Sequence, residues 1–347
     1  MKINKKQLQE ALEIVKPGLA NKELIEQSTS VAFVGGAVKT YNDEVSVSHP
    51  VEGLEFEGAI LADNLYKFLG RIKDEELDLS VKGNELILTT GKATAGLTLM
   101  KEVKLPFDEE LGQKSKWQTL PDNFGENIAF VMTAAGTNLS QPLLTCVHVN
   151  KYGFVEASDG YKIARYQLAN EMPIDTFLIP ARSVVEAVKL DPKPTRIATG
   201  KGWVHFRNKS GTIMSCRVFN QDTYKDTSQL LNVKGTRLTL PDISSDMLNR
   251  AMVFAKRDHI LEERVFVTIG EQKLKMKASS DSGWFREETD MKAFKGDPVT
   301  FIITPYLLKG ILTKTSGCEL TNNRIKFEGE NWVFVSALGS IKDKNQK

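Results

Sequence analysis

Residues Lys116–Phe130 read KWQTLPDNFGENIAF, and residues Arg237–Met252 read RLTLPDISSDMLNRAM. The tetrapeptide TLPD stands at Thr119–Asp122 and again at Thr239–Asp242. After the first copy, Phe124, Ile128, Val131, Met132 and Ala135 recur at helical spacing. After the second, Met247, Leu248, Ala251, Met252 and Ala255 do the same. Pro121 and Pro241 suit the approach to a helix, with Asp122 and Asp242 as expected caps. Near the N-terminus, Leu8, Ala11, Leu12 and Val15 predict a third such helix behind Lys2-Ile3-Asn4, without the tetrapeptide.

A second element also comes three times: AILADNLYKFLG at Ala59–Gly70, FLIPARSVVEAV at Phe177–Val188 and FIITPYLLKGIL at Phe301–Leu312. Each is a short apolar strand end running into an amphipathic helix, and each precedes alternating strand-like runs. Turn pairs such as Gly83-Asn84, Gly200-Lys201 and Asn322-Asn323 separate those runs. Two independent elements agree on one period of roughly 120 residues, which is the size of a domain rather than of a solenoid repeat. The expectation is α+β: three domains, at 1–117, 118–236 and 237–347, each with two helices on antiparallel sheet.

Composition places the chain with soluble globular proteins: 41% apolar, 26% charged, net charge +2. No apolar run reaches the ~20 residues of a membrane span. The N-terminal MKINKKQLQEALEIV is charged and amphipathic, unlike a secretion signal, so the expected location is the cytoplasm. Cys146, Cys216 and Cys318 lack CxxC spacing and read as buried thiols. The four histidines, His49, His148, His205 and His259, form no HExxH pair, and no GxSxG elbow occurs. Gly91-Lys92 and Gly200-Lys201 fail as phosphate loops. Leu86 and Thr195 stand where the first glycine belongs, and Ala93 and Gly202 where Ser or Thr belongs. Asp43-Glu44 and Asp108-Glu109-Glu110 read as solvated loop charge. The chain reads as a non-enzyme without cofactor or metal. A metal-dependent hydrolase or nuclease lacks an acidic or histidine cluster at usable spacing.

The segment VEASDGYKIARYQL, Val155–Leu168, resembles the T-D-G-H-R-L-A segment of bacterial sliding clamps, the β subunits of DNA polymerase III. Asp159, Gly160 and Ala164 match identically. Three similar domains of this size and order complete the resemblance, whose divergence suits a phage or prophage version. It implies a head-to-tail homodimer whose six domains close a ring around duplex DNA. Such a ring catalyses nothing: it tethers polymerase and other factors, and a clamp loader opens it with ATP. A clamp-fold monomer that captures a partner peptide without encircling DNA is the alternative.

Lining helices should be apolar towards the sheet and basic or polar on the other side. In DNLYKFLGRIK, Leu65, Phe68, Leu69 and Ile72 oppose Asn64, Lys67 and Arg71. In PARSVVEAVKL, Ala181, Val184, Val185 and Val188 oppose Arg182 and Lys189. Lys5, Gln9 and Lys16 share the polar face of the first helix, and Lys256-Arg257 end the helix after the second TLPD. Glu13 and Glu186 lie on the same polar faces. The resemblance places Lys22 and Arg71 against DNA, and the candidate DNA set is Lys22, Lys67, Arg71, Arg182, Lys189, Lys256 and Arg257. It also implies an apolar partner-peptide pocket walled by Ser158, Gly160, Tyr161, Lys162, Ile163 and Leu231, with Phe334, Ser336 and Leu338 from the last strand. The match fails at the C-terminus, where VFVSALGS replaces a Met-Pro-Met-Arg-Leu-like ending and a polar tail follows Leu338, expected to be disordered. The FNQDTYKDTSQLL stretch likewise lacks the family's Phe-Pro-x-Tyr spacing.

Overall fold

The computed structural model describes residues 1–107, 116–219, 224–291 and 298–338. The tail after Leu338 and the Asp108-Glu109-Glu110 run lie outside the described residues. The first elements are β1 (Lys2–Asn4), α1 (Lys5–Val15), β2 (Ser30–Val34), β3 (Ala37–Tyr41), β4 (Val45–Pro50), β5 (Gly58–Leu61), α2 (Ala62–Leu69), β6 (Glu76–Lys82), β7 (Glu85–Thr90) and β8 (Ala93–Thr98). The same order follows as β9 (Gln118–Thr119), α3 (Phe124–Met132), β10 (Cys146–Asn150), β11 (Phe154–Ser158), β12 (Lys162–Gln167), β13 (Phe177–Pro180), α4 (Ala181–Lys189), β14 (Arg196–Gly200), β15 (Trp203–Arg207) and β16 (Ile213–Arg217). After a short helix, α5 (Ser228–Leu231), it comes a third time. There it is β17 (Thr236–Thr239), α6 (Ser244–Ala255), β18 (Val265–Gly270), β19 (Lys273–Ser280), β20 (Gly283–Asp290), β21 (Val299–Ile303), α7 (Pro305–Leu312), β22 (Gly317–Leu320), β23 (Arg324–Glu328) and β24 (Trp332–Ala337).

Both TLPD copies do the same work. Thr119 ends β9, which pairs with β14, and Leu120 donates its N–H to Thr195 O. Thr239 ends β17, which pairs with β22, and Leu240 donates to Ser316 O. A turn follows in each: Phe124 N–H bonds Pro121 O and Ser244 N–H bonds Pro241 O. This turn corrects the expected caps. The helices start two residues after Asp122 and Asp242, behind Asn123 and Ile243, and neither start has a side-chain cap bond. In the first repeat Lys2–Asn4 is the equivalent strand on β6, and Asn4 does cap α1, accepting from Gln7 N–H at 3.2 Å.

The chain forms two compact units, Met1–Leu120 with Glu186–Val218, and Pro121–Val185 with Phe219–Lys347. The first holds an eight-stranded sheet, β5-β2-β3-β4-β16-β15-β14-β9, and a four-stranded sheet, β1-β6-β7-β8. The second holds an eight-stranded sheet, β13-β10-β11-β12-β24-β23-β22-β17, and a four-stranded sheet, β20-β19-β18-β21. Among the described residues every ladder is antiparallel. Each eight-stranded sheet is two four-stranded sheets joined at one ladder: β4 to β16, and β12 to β24. These joins draw β14–β16 into the first unit and β10–β13 into the second.

The helices bury the faces that their spacing marks. Leu8, Ala11, Leu12 and Val15 of α1 lie at or below 1% exposure, as do Met247, Leu248, Ala251 and Ala255 of α6. Each fully buried Leu contributes about 2 kcal/mol of apolar transfer, so these faces fasten the helices to the sheets. All three cysteines are buried and free. Among the described residues no helix is long and apolar enough to cross a membrane.

Candidate nucleic-acid and partner interfaces

In the first unit α1 and α2 pack side by side. Tyr66 donates its hydroxyl to Leu12 O at 2.5 Å, Gln9 donates to Leu69 O at 3.3 Å, and Lys5 donates to Ile72 O at 2.9 Å. Gln9 thus satisfies the last carbonyl of α2, and Lys5 one three residues beyond it, where a cation also suits the helix dipole. Lys16 pairs with Glu13 at 3.1 Å and sits over the Tyr66 ring. Lys67 pairs with Asp63 at 2.6 Å. Lys22 and Arg71 are exposed, and among the described residues neither has a carboxylate partner. Lys67 and Arg71 stand four residues apart across the end of α2.

The other predicted cations are scattered. Lys189, with Glu186 at 2.8 Å, belongs to the first unit. In the second, Arg182 meets Glu262 at 2.7 Å and Lys256 meets Glu263 at 3.7 Å. Arg257 donates to Lys256 O at 2.9 Å and Ser279 O at 2.6 Å. The exposed pairs of Lys67, Arg182 and Lys189 are worth about 0–1 kcal/mol, so a phosphate can displace the carboxylate, whereas Glu263 is buried and holds Lys256 more firmly.

The SDGYKIA segment builds a hairpin turn between β11 and β12. The Asp159 carboxylate accepts from Tyr161 N–H at 2.9 Å and Lys162 N–H at 2.8 Å, and Ser158 Oγ donates to Lys162 O at 2.7 Å. Gly160 sits at φ +89°, a conformation that side chains disfavour. The turn pushes Tyr161 out to 80% exposure and leaves Lys162 buried against Asp159. Burial pulls the Lys162 ammonium below its ordinary pKa, and Asp159 opposes that shift.

β12 and β24 run antiparallel with Lys162 opposite Ser336, Ile163 opposite Val335 and Ala164 opposite Phe334. Side chains alternate between the faces of a sheet, so this register divides the predicted pocket. Tyr161, Lys162, Ser336 and Leu338 line a cavity of about 560 Å³ together with Arg264, Phe266 and Ile302. Ile163 faces the other way and packs with Val233, Val335, Leu231 and Val333. Phe334 is fully buried, with its ring 6.3 Å from that of Phe327, and Ser158 and Gly160 shape the turn. The structure therefore does not bring the nine residues into one recess. Arg264, Phe266, Ile302, Val233, Val333 and Val335 were not foreseen. Their signal was alternation: in RVFVTIG the odd residues are buried, which turns Phe266 outward opposite Ile302.

The apolar face around Ile163 is covered by the chain itself. Glu156, 1% exposed, accepts from Arg165 Nε at 2.6 Å, Tyr224 Oη at 2.7 Å and Thr227 Oγ1 at 2.7 Å. Arg165 also donates to Thr227 at 3.0 Å and Ser228 at 3.2 Å. A buried carboxylate needs such partners, and they hold the segment carrying Leu231 on the sheet. Burial and then Glu156 raise the pKa of the Tyr224 hydroxyl.

No protein-family model matches this chain, and no curated protein does. Solved structures do. The DNA polymerase sliding clamp of Bacillus subtilis aligns at TM-score 0.74 and 16% identity, over 98% of this chain and 98% of that one. The DNA polymerase III β chain of Streptococcus pneumoniae aligns at 0.73 and 19%, over 98% and 99%. The DNA polymerase III subunit beta of Pseudomonas aeruginosa aligns at 0.72 and 16%, over 98% and 100%. From β1 to β24, the chain has the fold of the DNA polymerase III β sliding clamps.

Proposed function

We propose that this chain is a DNA polymerase processivity factor, a non-enzymatic sliding clamp acting as a head-to-tail homodimer around duplex DNA. One observation carries the reading. β4 and β12 are the third strands of their four-stranded halves, and each is joined to the last strand of another half, β16 or β24. Among the described residues the equivalent strands β20 and β8 have no outer partner and are open edges. β8 reads ATAGLT, with neither the charge nor the proline that blunts a free edge. Pairing β20 of one copy with β8 of another completes the pattern, and a second copy closes it symmetrically.

On this reading the repeat sets three domains, 1–117, 118–236 and 237–347. Lys22 and Arg71 make loose, sequence-blind phosphate contacts, which suits a ring that must slide. The cations with surface partners join by exchange. Partner peptides of polymerase and clamp loader enter the cavity beside Tyr161, with Phe266 and Ile302 as apolar wall and Arg264 for a carboxylate. The site of action is the cytoplasm.

The test is topological. The protein is loaded with a matching clamp loader and ATP on nicked circular DNA, which is then linearised. Retention on circles with loss from linear DNA is expected. Equal retention on both refutes the ring.

A further inference from the structure

The second unit carries another recess, of about 300 Å³, between α3 and α7. Its walls are aromatic: Phe130, Tyr166 and Tyr306, with the Phe130 and Tyr166 rings edge to face at 5.7 Å. Lys309 and Lys314 stand at its rim, and Glu126 and Asn127 supply polar groups from α3. Lys314 Nζ lies 5.6 Å from the Tyr166 ring centre. Among the described residues neither lysine has a carboxylate partner. Gly310 lets α7 approach the Phe130 ring, because a Cβ there would lie 3.3 Å from it. Tyr306 and Lys309 are three apart on one helix and share a face.

We propose that this recess holds one unpaired nucleotide of single-stranded DNA, its base among Tyr306, Tyr166 and Phe130 and its phosphates on Lys309 and Lys314. Two partly exposed tyrosine rings over the buried Phe130, two ammonium groups without a carboxylate partner among the described residues and a volume at the small end for ligand pockets match the two halves of a nucleotide. In a duplex the base faces are stacked on their neighbours and cannot enter. Glu126 can accept from an exocyclic amine, while stacking itself is indifferent to sequence. The inference rests on the reading that DNA is a ligand of this chain, but not on ring closure.

Fluorescence anisotropy tests it with a labelled single strand of about 12 nucleotides and a duplex of the same length, without loader. The unmodified protein should bind the single strand more tightly. Tyr306→Ala should weaken single-strand binding about 10-fold and leave duplex binding unchanged. Tyr306 is 41% exposed, so the variant should fold normally. Lys309→Glu with Lys314→Glu should abolish the single-strand preference. A single strand carrying 5-iododeoxyuridine should photocrosslink to Tyr306 or Tyr166. Unchanged single-strand affinity in Tyr306→Ala, or an equal loss for both ligands, overturns the proposal. Circle retention that survives with no Tyr306 effect sinks this site alone. A Tyr306 effect without circle retention sinks the ring alone.

Discussion

Gly96→Pro should turn the proposed dimer into a folded monomer. Leu99 donates its N–H to Asn84 O, towards β7, at 2.8 Å, and Met100 N–H turns the other way to Ala59 O at 3.0 Å. Alternation then points the N–H groups of Thr94, Gly96 and Thr98 away from β7, at the open edge. A proline at 96 removes no bond within the protomer, and loss of glycine reduces the freedom of the unfolded chain. The edge is another matter. The internal joins have four residue pairs at β4·β16 and five at β12·β24. A β8·β20 join of that size contributes about 4–5 kcal/mol at about 1 kcal/mol per backbone bond. The proline deletes one bond and strands the facing carbonyl, at about 3 kcal/mol in total. A symmetric dimer has two such joins, so the cost is about 6 kcal/mol, a roughly ten-thousandfold weaker dimer. Sedimentation equilibrium reads the mass against a 38.7 kDa protomer. Thermal melting of monomer reports the fold. A variant that stays dimeric at the dilutions where the parent does, with an unchanged melt, would show that β8 is not the interface.

Four further outcomes are expected. Lys22→Ala with Arg71→Ala should weaken retention on circular DNA about tenfold, and lower the salt slope by about 2, without changing mass; full retention would place the DNA elsewhere. Tyr161→Asp should weaken binding of a clamp-loader or polymerase peptide at least about tenfold, since a carboxylate would stand in the apolar mouth of the cavity; normal peptide affinity would move the pocket to another face. Burial depresses the His148 pKa below 6.5, so the protonated form favours the unfolded chain. The stability that it contributes is fully present above pH 6.5 and is lost as pH falls through the folded pKa, by at most about 1.4 kcal/mol per pH unit. Urea titrations should show His148→Gln without that loss, and identical acid slopes would refute the assignment. Burial pushes the Cys146 and Cys318 thiols to about 12 and raises Cys216 as well, so all three should resist iodoacetamide until the protein is unfolded.

Much of the fold was legible because its signals are local. Helical spacing marked the buried faces of α1 and α6 at Leu8, Leu12, Met247 and Leu248, and the strand-to-helix element marked α2, α4 and α7 in three copies. The candidate sites were less legible because they depend on register. Ile163 and Lys162 are neighbours in sequence and opposites in space. A shift of one residue on β24 exchanges Phe334 and Ser336 for Val333 and Val335. The apolar partner of Ile163 is therefore Val335, a choice that only the ladder between distant strands can make. Charge pairing was hidden for the same reason. Glu186 sits three residues before Lys189 and could be read, whereas Glu262 against Arg182 is a tertiary fact.

The missing tetrapeptide in the first repeat has a structural equivalent rather than a gap. β1, β9 and β17 each add one strand to the free side of a three-stranded run, on β6, β14 and β22. That addition moves the outer edge on one side to β1, β9 or β17 and leaves β8, β16 or β24 as the strand on the opposite side. β16 and β24 are taken by β4 and β12 within the chain. A chain of identical repeats joined in this way always keeps one joining strand of each kind without its join, here β8 and β20, however many repeats it has. Two outcomes remain for such edges, either pairing with one another across copies or lying bare. A bare, uncharged ATAGLT edge invites aggregation. The repeat that TLPD first disclosed therefore argues, through its own edges, for a second copy of the chain.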